Sequence, residues 1–245
     1  MSTTEVEVLP ALSDIDITIP QPERLQDGIG RRRGLFITFE GIDGSGKSTQ
    51  LKLLAERLRA AGHEVLETAE PGGTDIGVQI RRILLDSANR KLCAAAELLL
   101  MFAARAQNVE EYILPALDQG RIVLCDRFTD STVVYQGIAR GLGLATVLAV
   151  DAVASRGLTP DLTLYIDIDV ETGLARAHTR DLETPGSRET RMEEEALDFH
   201  RRVWEGYQEL ANREPDRVRR IDGASDPESV AAEIWRVVSP AVAAR

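Results

Sequence analysis

Residues 40–49 read EGIDGSGKST. Within them Gly41 to Ser48 match the pattern G-x-x-x-x-G-K-[ST], and the flanks suit it: an apolar stretch, LFITFE (35–40), in front and an amphipathic one, TQLKLLAERLRAAG (49–62), behind. A strand, a glycine-rich turn and a helix in that order make a phosphate cradle. The glycines let backbone N–H groups point inward, the helix amino end adds partial positive charge, Lys47 reaches the outer phosphates and Ser48 offers a hydroxyl to magnesium. Gly41, Ile42, Asp43, Gly44, Ser45, Gly46, Lys47, Ser48 and Thr49 are therefore the expected contacts for a nucleoside triphosphate. The chain holds 29 basic residues but only three lysines, Lys47, Lys52 and Lys91, so further cations for phosphate must come mainly from arginine.

Outward from the loop the alternation of apolar and amphipathic stretches continues. EVLET (64–68), RIVLC (121–125), LTLYIDI (162–168) and RVRRI (217–221) read as further strands. Between and after them IGVQIRRILLD (76–86), AAAELLLMFAARAQNVEEYILPAL (94–117), GLATVLAVDAVAS (143–155), EEEALDFHRRVWEGYQELA (193–211) and PESVAAEIWRVV (227–238) carry apolar residues at helical spacing. Strands joined by helices long enough to cross over predict a five-stranded parallel sheet covered on both faces, a three-layer α/β fold over residues 34–245. Ligands in such sheets gather beyond the carboxyl ends of the strands. Residues 1–33 differ: Pro10, Pro20 and Pro22, scattered acids, no helical period, and a closing Arg31-Arg32-Arg33. They read as a flexible N-terminal extension.

With 43% hydrophobic residues and a net charge of −11, the chain has the composition of a globular domain whose surface would repel phosphate backbones. Nucleic acid and anionic membranes are excluded as expected partners, and any anionic ligand must be met by local positive charge. Cys93 and Cys125 show no metal or disulfide spacing. The first residues carry acids where a secretory signal would be basic, and no apolar run reaches membrane-spanning length, so a cytoplasmic protein is expected.

Charged residues follow two of the strands: EPGGTD (70–75) after the second and DRFTDSTVVYQG (126–137) after the third. An Asp-Arg pair in that position can set a carboxylate near a metal while the guanidinium forks onto a phosphate. EGIDGSGKST, EPGGT, IRRILLD, ELLLxFAARAQ, DRFxDSTxxYQG and PDLTLYID, in this order, closely resemble thymidylate kinase over residues 35–235, within the P-loop nucleoside monophosphate kinase fold. The resemblance implies transfer of the γ-phosphoryl group of ATP to dTMP with Mg2+, and a homodimer. It also implies roles. Arg127 holds the acceptor phosphate with Arg81 assisting; Asp43 lies near the sugar and that phosphate; Asp126 belongs to the magnesium–water network; Glu70 is the acid of the EPGGT loop. Arg105 and Thr132 read the thymine edge, Tyr135 packs on the deoxyribose and Gln136 borders the same pocket.

Two departures stand out. The family's thymine-stacking phenylalanine falls at Met101 here, with a ring one place later at Phe102, and one residue turns a helical side chain by about 100°. Both remain candidates for the base contact. Gly44 stands where some members place an arginine in the glycine loop, so the catalytic cation is expected from a lid at about 180–195, RDLETPGSRETRMEEE. Its arginines are taken in the order Arg191, Arg180, Arg188. DGAS (222–225) is the expected adenine-side loop by analogy of fold. A kinase for dUMP or dCMP, or a non-catalytic nucleotide-binding regulator, are the alternatives.

Overall fold

The computed structural model describes residues 34–183 and 190–244. The N-terminal extension, Pro185, Gly186 and Arg188 lie outside the described residues. Five parallel strands form one sheet in the order β2-β3-β1-β4-β5: β1 Leu35–Glu40, β2 Val65–Ala69, β3 Ile122–Asp126, β4 Leu162–Asp167 and β5 Val218–Asp222. Three of them sit one residue later than expected. Their ends are set by pairing rather than by apolar content, for Ala69 pairs with Asp126 and Asp167 with Asp222.

The helices are α1 Lys47–Ala60, α2 Asp75–Leu85, α3 Ala94–Asn108, α4 Leu114–Asp118, α5 Thr129–Thr132, α6 Leu144–Ala154, α7 Val170–Glu183, α8 Leu197–Arg213 and α9 Pro227–Ala243. A wide π-type turn, Val109–Ile113, runs α3 into α4, and a second, Val133–Ala139, prolongs α5. β1 shows how two faces are covered at once. Leu35, Ile37 and Phe39 meet α1 and α9 on one side, while Phe36 packs under the α3–α4 junction on the other. Thr38 and Glu40 share the face of Phe36, so that face turns polar toward the carboxyl end, where Thr38 bonds Thr163 at 2.9 Å.

Helix α7 and the helical course of 129–139 were not read from sequence. Among the α7 residues whose burial is described, Val170 and Ala177 are the fully buried apolar ones, too sparse a stripe for periodicity to expose. Its start is marked by Asp169, whose carboxylate accepts from the Thr172 N–H at 2.8 Å. Helix α8 begins after the acids 193–195, which stay in the preceding turn.

Candidate active site

The loop between β1 and α1 wraps its own lysine. Lys47 Nζ donates to the carbonyls of Gly41 (3.1 Å) and Ile42 (2.8 Å), so these two residues shape the cradle from beneath. Gly44, Ser45, Gly46, Lys47, Ser48 and Thr49 line an open cavity of about 450 Å³ with Asp43, Asp126, Arg176, Arg180, Gly223 and Ser225. Burial is the largest influence on Lys47 and, with the charge of Arg127, brings it down to about 8. The Ser48 hydroxyl donates to Asp126 Oδ2 at 2.7 Å.

A second cavity of about 380 Å³ adjoins the first, lined on its inner wall by Met101, Arg105, Thr132, Tyr135 and Gln136. Asp43, Glu70, Arg81, Arg127 and Arg180 line both. The two spaces therefore meet at a junction of three arginines. Arg127 stands at its centre. Its backbone is held in the left-handed region (φ 71°), a conformation that costs a non-glycine residue roughly 1–2 kcal/mol, with its N–H bonded to the Phe39 carbonyl at 2.9 Å. Its guanidinium donates to Asp43 (2.8 Å), Tyr135 (3.2 Å) and Ser131 (3.1 Å) and lies over the Tyr135 ring. Burial would raise Asp43, but Arg127 and Lys47 outweigh it and hold the carboxyl down at about 2. Burial pushes the Tyr135 phenol well above its ordinary value, so it stays protonated.

Glu40, the last residue of β1, was missed by sequence reasoning. Fully buried, its carboxylate accepts from the Phe128 N–H (2.7 Å), the Tyr207 hydroxyl (2.9 Å) and the Ser131 hydroxyl. It thus fastens the turn that carries Arg127. Burial first, and Asp130 second, raise Glu40 to about 7. The sequence had presented it only as a strand end.

At the inner wall Arg105 is buried and fixed on three sides: Nε to Glu70 (2.7 Å), Nη1 to Asp151 (2.9 Å) and Nη2 to Thr132 (3.0 Å). Asn108 adds a bond to Glu70 at 3.1 Å. Glu70, raised chiefly by burial, is otherwise opposed by Arg105. The contact expected at Phe102 needs correction. That ring is 3% exposed and packs into the core with Leu98, Val133, Val147 and Ala154, whereas Met101 faces the cavity. Geometry of a helix allows one of the two to point inward, not both.

The expected order of lid arginines also changes. Gly44 has φ 75°, and a Cβ there would lie 2.0 Å from the Gly173 carbonyl oxygen, so α7 rests on the glycine loop with no room for a side chain. Arg176 and Arg180 follow Gly173 at three and seven residues on the same helical face, and both reach the phosphate cavity. Arg176, which also donates to the Gly223 carbonyl at 3.2 Å, was not foreseen. Arg191 lines neither cavity. It is buried, donating to the Leu84 carbonyl and to Glu97 (2.7 Å). Arg81 donates to the Pro71 carbonyl at 3.0 Å.

A family model described as thymidylate kinase matches residues 39–234. The thymidylate kinase of Pelobacter propionicus is 52% identical over 201 residues, covering 82% of this chain and 92% of that one. That of Geotalea uraniireducens is 50% identical over 205 residues, covering 84% and 96%. The crystal structure of thymidylate kinase from Ehrlichia chaffeensis superposes with a TM-score of 0.68 at 33% identity, over 84% of this chain and 99% of that chain. With the glycine loop, the Asp126-Arg127 turn and the adjoining inner cavity set on one P-loop sheet, the chain belongs to the thymidylate kinase family.

Proposed function

We propose that the chain transfers the γ-phosphoryl group of ATP to dTMP, giving ADP and dTDP. The observation that carries this reading is the junction: Asp43, Arg81, Arg127 and Arg180 line both cavities, so donor and acceptor phosphates can meet in line there. Phosphoryl transfer through a loose transition state needs positioning and positive charge more than it needs a strong base. The acceptor oxygen is already anionic, so no carboxylate is assigned as proton acceptor. ATP lies along the glycine loop with its adenine toward Gly223 and Ser225. The thymine enters against Met101 with its edge toward Arg105 and Thr132, and Tyr135 closes on the deoxyribose.

Magnesium fits the residues present. Ser48 and Asp126 offer two hard oxygen donors 2.7 Å apart at the edge of the phosphate cavity, and this cation commonly takes one or two protein oxygens with phosphates and water completing the set. Among the described residues no cluster of three metal-ligating side chains competes for that role. When bound it offsets charge on the transferred phosphoryl group. Lys47 and Arg127 then hold the outer phosphates of donor and acceptor, while Arg180 on α7 supplies charge at the junction. A homodimer through the α2–α3–α6 surface, where Ile76, Ile83, Leu99 and Val153 are exposed, is part of the proposal.

The reaction is tested by ADP release from ATP and magnesium with a panel of monophosphates. dTMP is expected to be the preferred acceptor. Preference for dUMP or dCMP would overturn the substrate, and ATP binding without turnover of any monophosphate would favour a regulator.

A further inference from the structure

Helix α3 carries Glu97, Met101 and Arg105 at four-residue steps, hence on one face. The last two line the acceptor cavity. Glu97, 1% exposed, lies one turn further out and accepts from three side chains of two other segments, the stretch 133–140 and the turn 190–195. Gln136 Nε2 donates to it at 2.9 Å, Arg140 Nε and Nη2 at 3.2 Å each, and Arg191 Nη2 at 2.7 Å. Burial would raise this carboxyl, but those bonds outweigh it and hold it below its ordinary range.

Arg191 is gripped from a second side. Its Nε donates to the Leu84 carbonyl and its N–H to the Leu85 carbonyl at 3.1 Å, which docks the turn 190–195 on the end of α2. Arg140 also bonds Glu195 of that turn at 2.6 Å. Leu85, Gln136 and Met192, each adjoining or bonded to this cluster, line the acceptor cavity. α2, α3, the stretch 133–140 and the turn 190–195 are thus tied together through Glu97 and Arg191, neither of which lines either cavity.

We propose that Arg191 and Glu97 are a positioning pair that assembles the acceptor wall, and that Arg191 is not a transition-state clamp. The inference rests on the dTMP reaction proposed above. An Arg–carboxylate pair this buried is costly to break on one side, because the remaining charge is left without a partner. Its loss frees Met192 and Gln136 rather than any phosphate contact. The consequence belongs in acceptor binding, with phosphoryl transfer from bound substrates spared.

The test is a double-mutant cycle with Glu97→Gln, which is isosteric, and Arg191→Met, which keeps the unbranched stem and removes the guanidinium, read as KM for dTMP, KM for ATP and kcat. Each single variant is expected to raise KM for dTMP by about tenfold, the scale of one lost charge-assisted hydrogen bond, with kcat and KM for ATP within about threefold. The double variant is expected to be no worse than the weaker single, since coupled partners are not additive. Unchanged KM for ATP reports that the fold and donor site persist. A hundredfold loss of kcat in Arg191→Met with KM for dTMP unchanged would overturn the inference and restore the clamp, and so would additive effects in the double variant. Absence of dTMP turnover in the wild type would instead overturn the reaction itself, and this inference with it.

Discussion

In the proposed reaction Arg127 holds an anionic group while its own backbone stands in the left-handed region, and the residues around it explain how. Asp43 and Tyr135 orient the guanidinium from the cavity side, and Glu40 grips the following N–H and Ser131 from below. Arg127→Ala should lower kcat/KM for dTMP by at least about a hundredfold, the loss of two charge-assisted bonds, and leave KM for ATP nearly unchanged. Near-normal acceptor kinetics would sink that role. Glu40 gives a pH signature. Its folded value, about 7, lies above the ordinary 4.5, so between those values the folded protein keeps a proton that the unfolded chain has released. Stability from this group is fully present below 4.5 and is lost as pH rises through 7. Urea unfolding of wild type and Glu40→Gln across that window should show the variant gaining on wild type with rising pH, then a constant difference. A pH-independent difference would show that Glu40 does not titrate there. Arg127 was legible because an Asp-Arg pair after a strand has a chemical meaning by itself. Glu40 was not, because its role comes from Ser131 and Tyr207, which lie 91 and 167 residues further along the chain.

Helix α7 is the element that most changes how the site is understood. Its backbone presses on the glycine loop at a mutual glycine contact: a Cβ on Gly173 would lie 2.6 Å from Ile42 Cδ1 and 2.8 Å from the Asp43 carbonyl oxygen. A side chain at Gly44 of the loop is excluded by this packing, and the helix that excludes it brings Arg176 and Arg180 to the cavity instead. Gly44→Ala should therefore destabilise by more than the roughly 1–2 kcal/mol of left-handed backbone alone, seen as a lower urea midpoint, because α7 must also retreat. An unchanged midpoint would mean that the contact is loose. Arg180→Ala should lower kcat by about a hundredfold with smaller changes in either KM, as expected of a group that acts on charge in the transition state. If KM for dTMP rose instead with kcat intact, Arg180 would be a binding residue. At this scale the strands and the long helices were readable, since each buries a continuous apolar set. The face of α7 was not, since small residues and arginines carry no apolar period, and neither was the inward turn of Met101, which depends on how α3 rolls against Val133 and Val147.

At the scale of the whole molecule the acceptor wall is built on helices whose opposite faces are apolar and exposed. α2 packs on α3, and α3 on α6. Their outer sides present Ile76 and Ile83, Leu99, and Val153, the last 79% exposed. A surface of this kind on the helix that bears Met101 and Arg105 is expected to be covered by a second copy, and a stable contact would need on the order of 800 Å² from each subunit. Light scattering should then give twice the chain's mass, and Leu99→Glu should shift it toward one chain. Because the proposed base contacts lie on the inner side of α3, loosening its outer side should also raise KM for dTMP by a few-fold while ATP binding holds, since the proposed ATP site is on α1 and the glycine loop. Wild-type protein that scatters as a single chain at assay concentration would refute the dimer. A monomeric Leu99→Glu variant with unaltered dTMP kinetics would show that the wall at Met101 and Arg105 is held entirely within one chain, by Glu97 and its arginines.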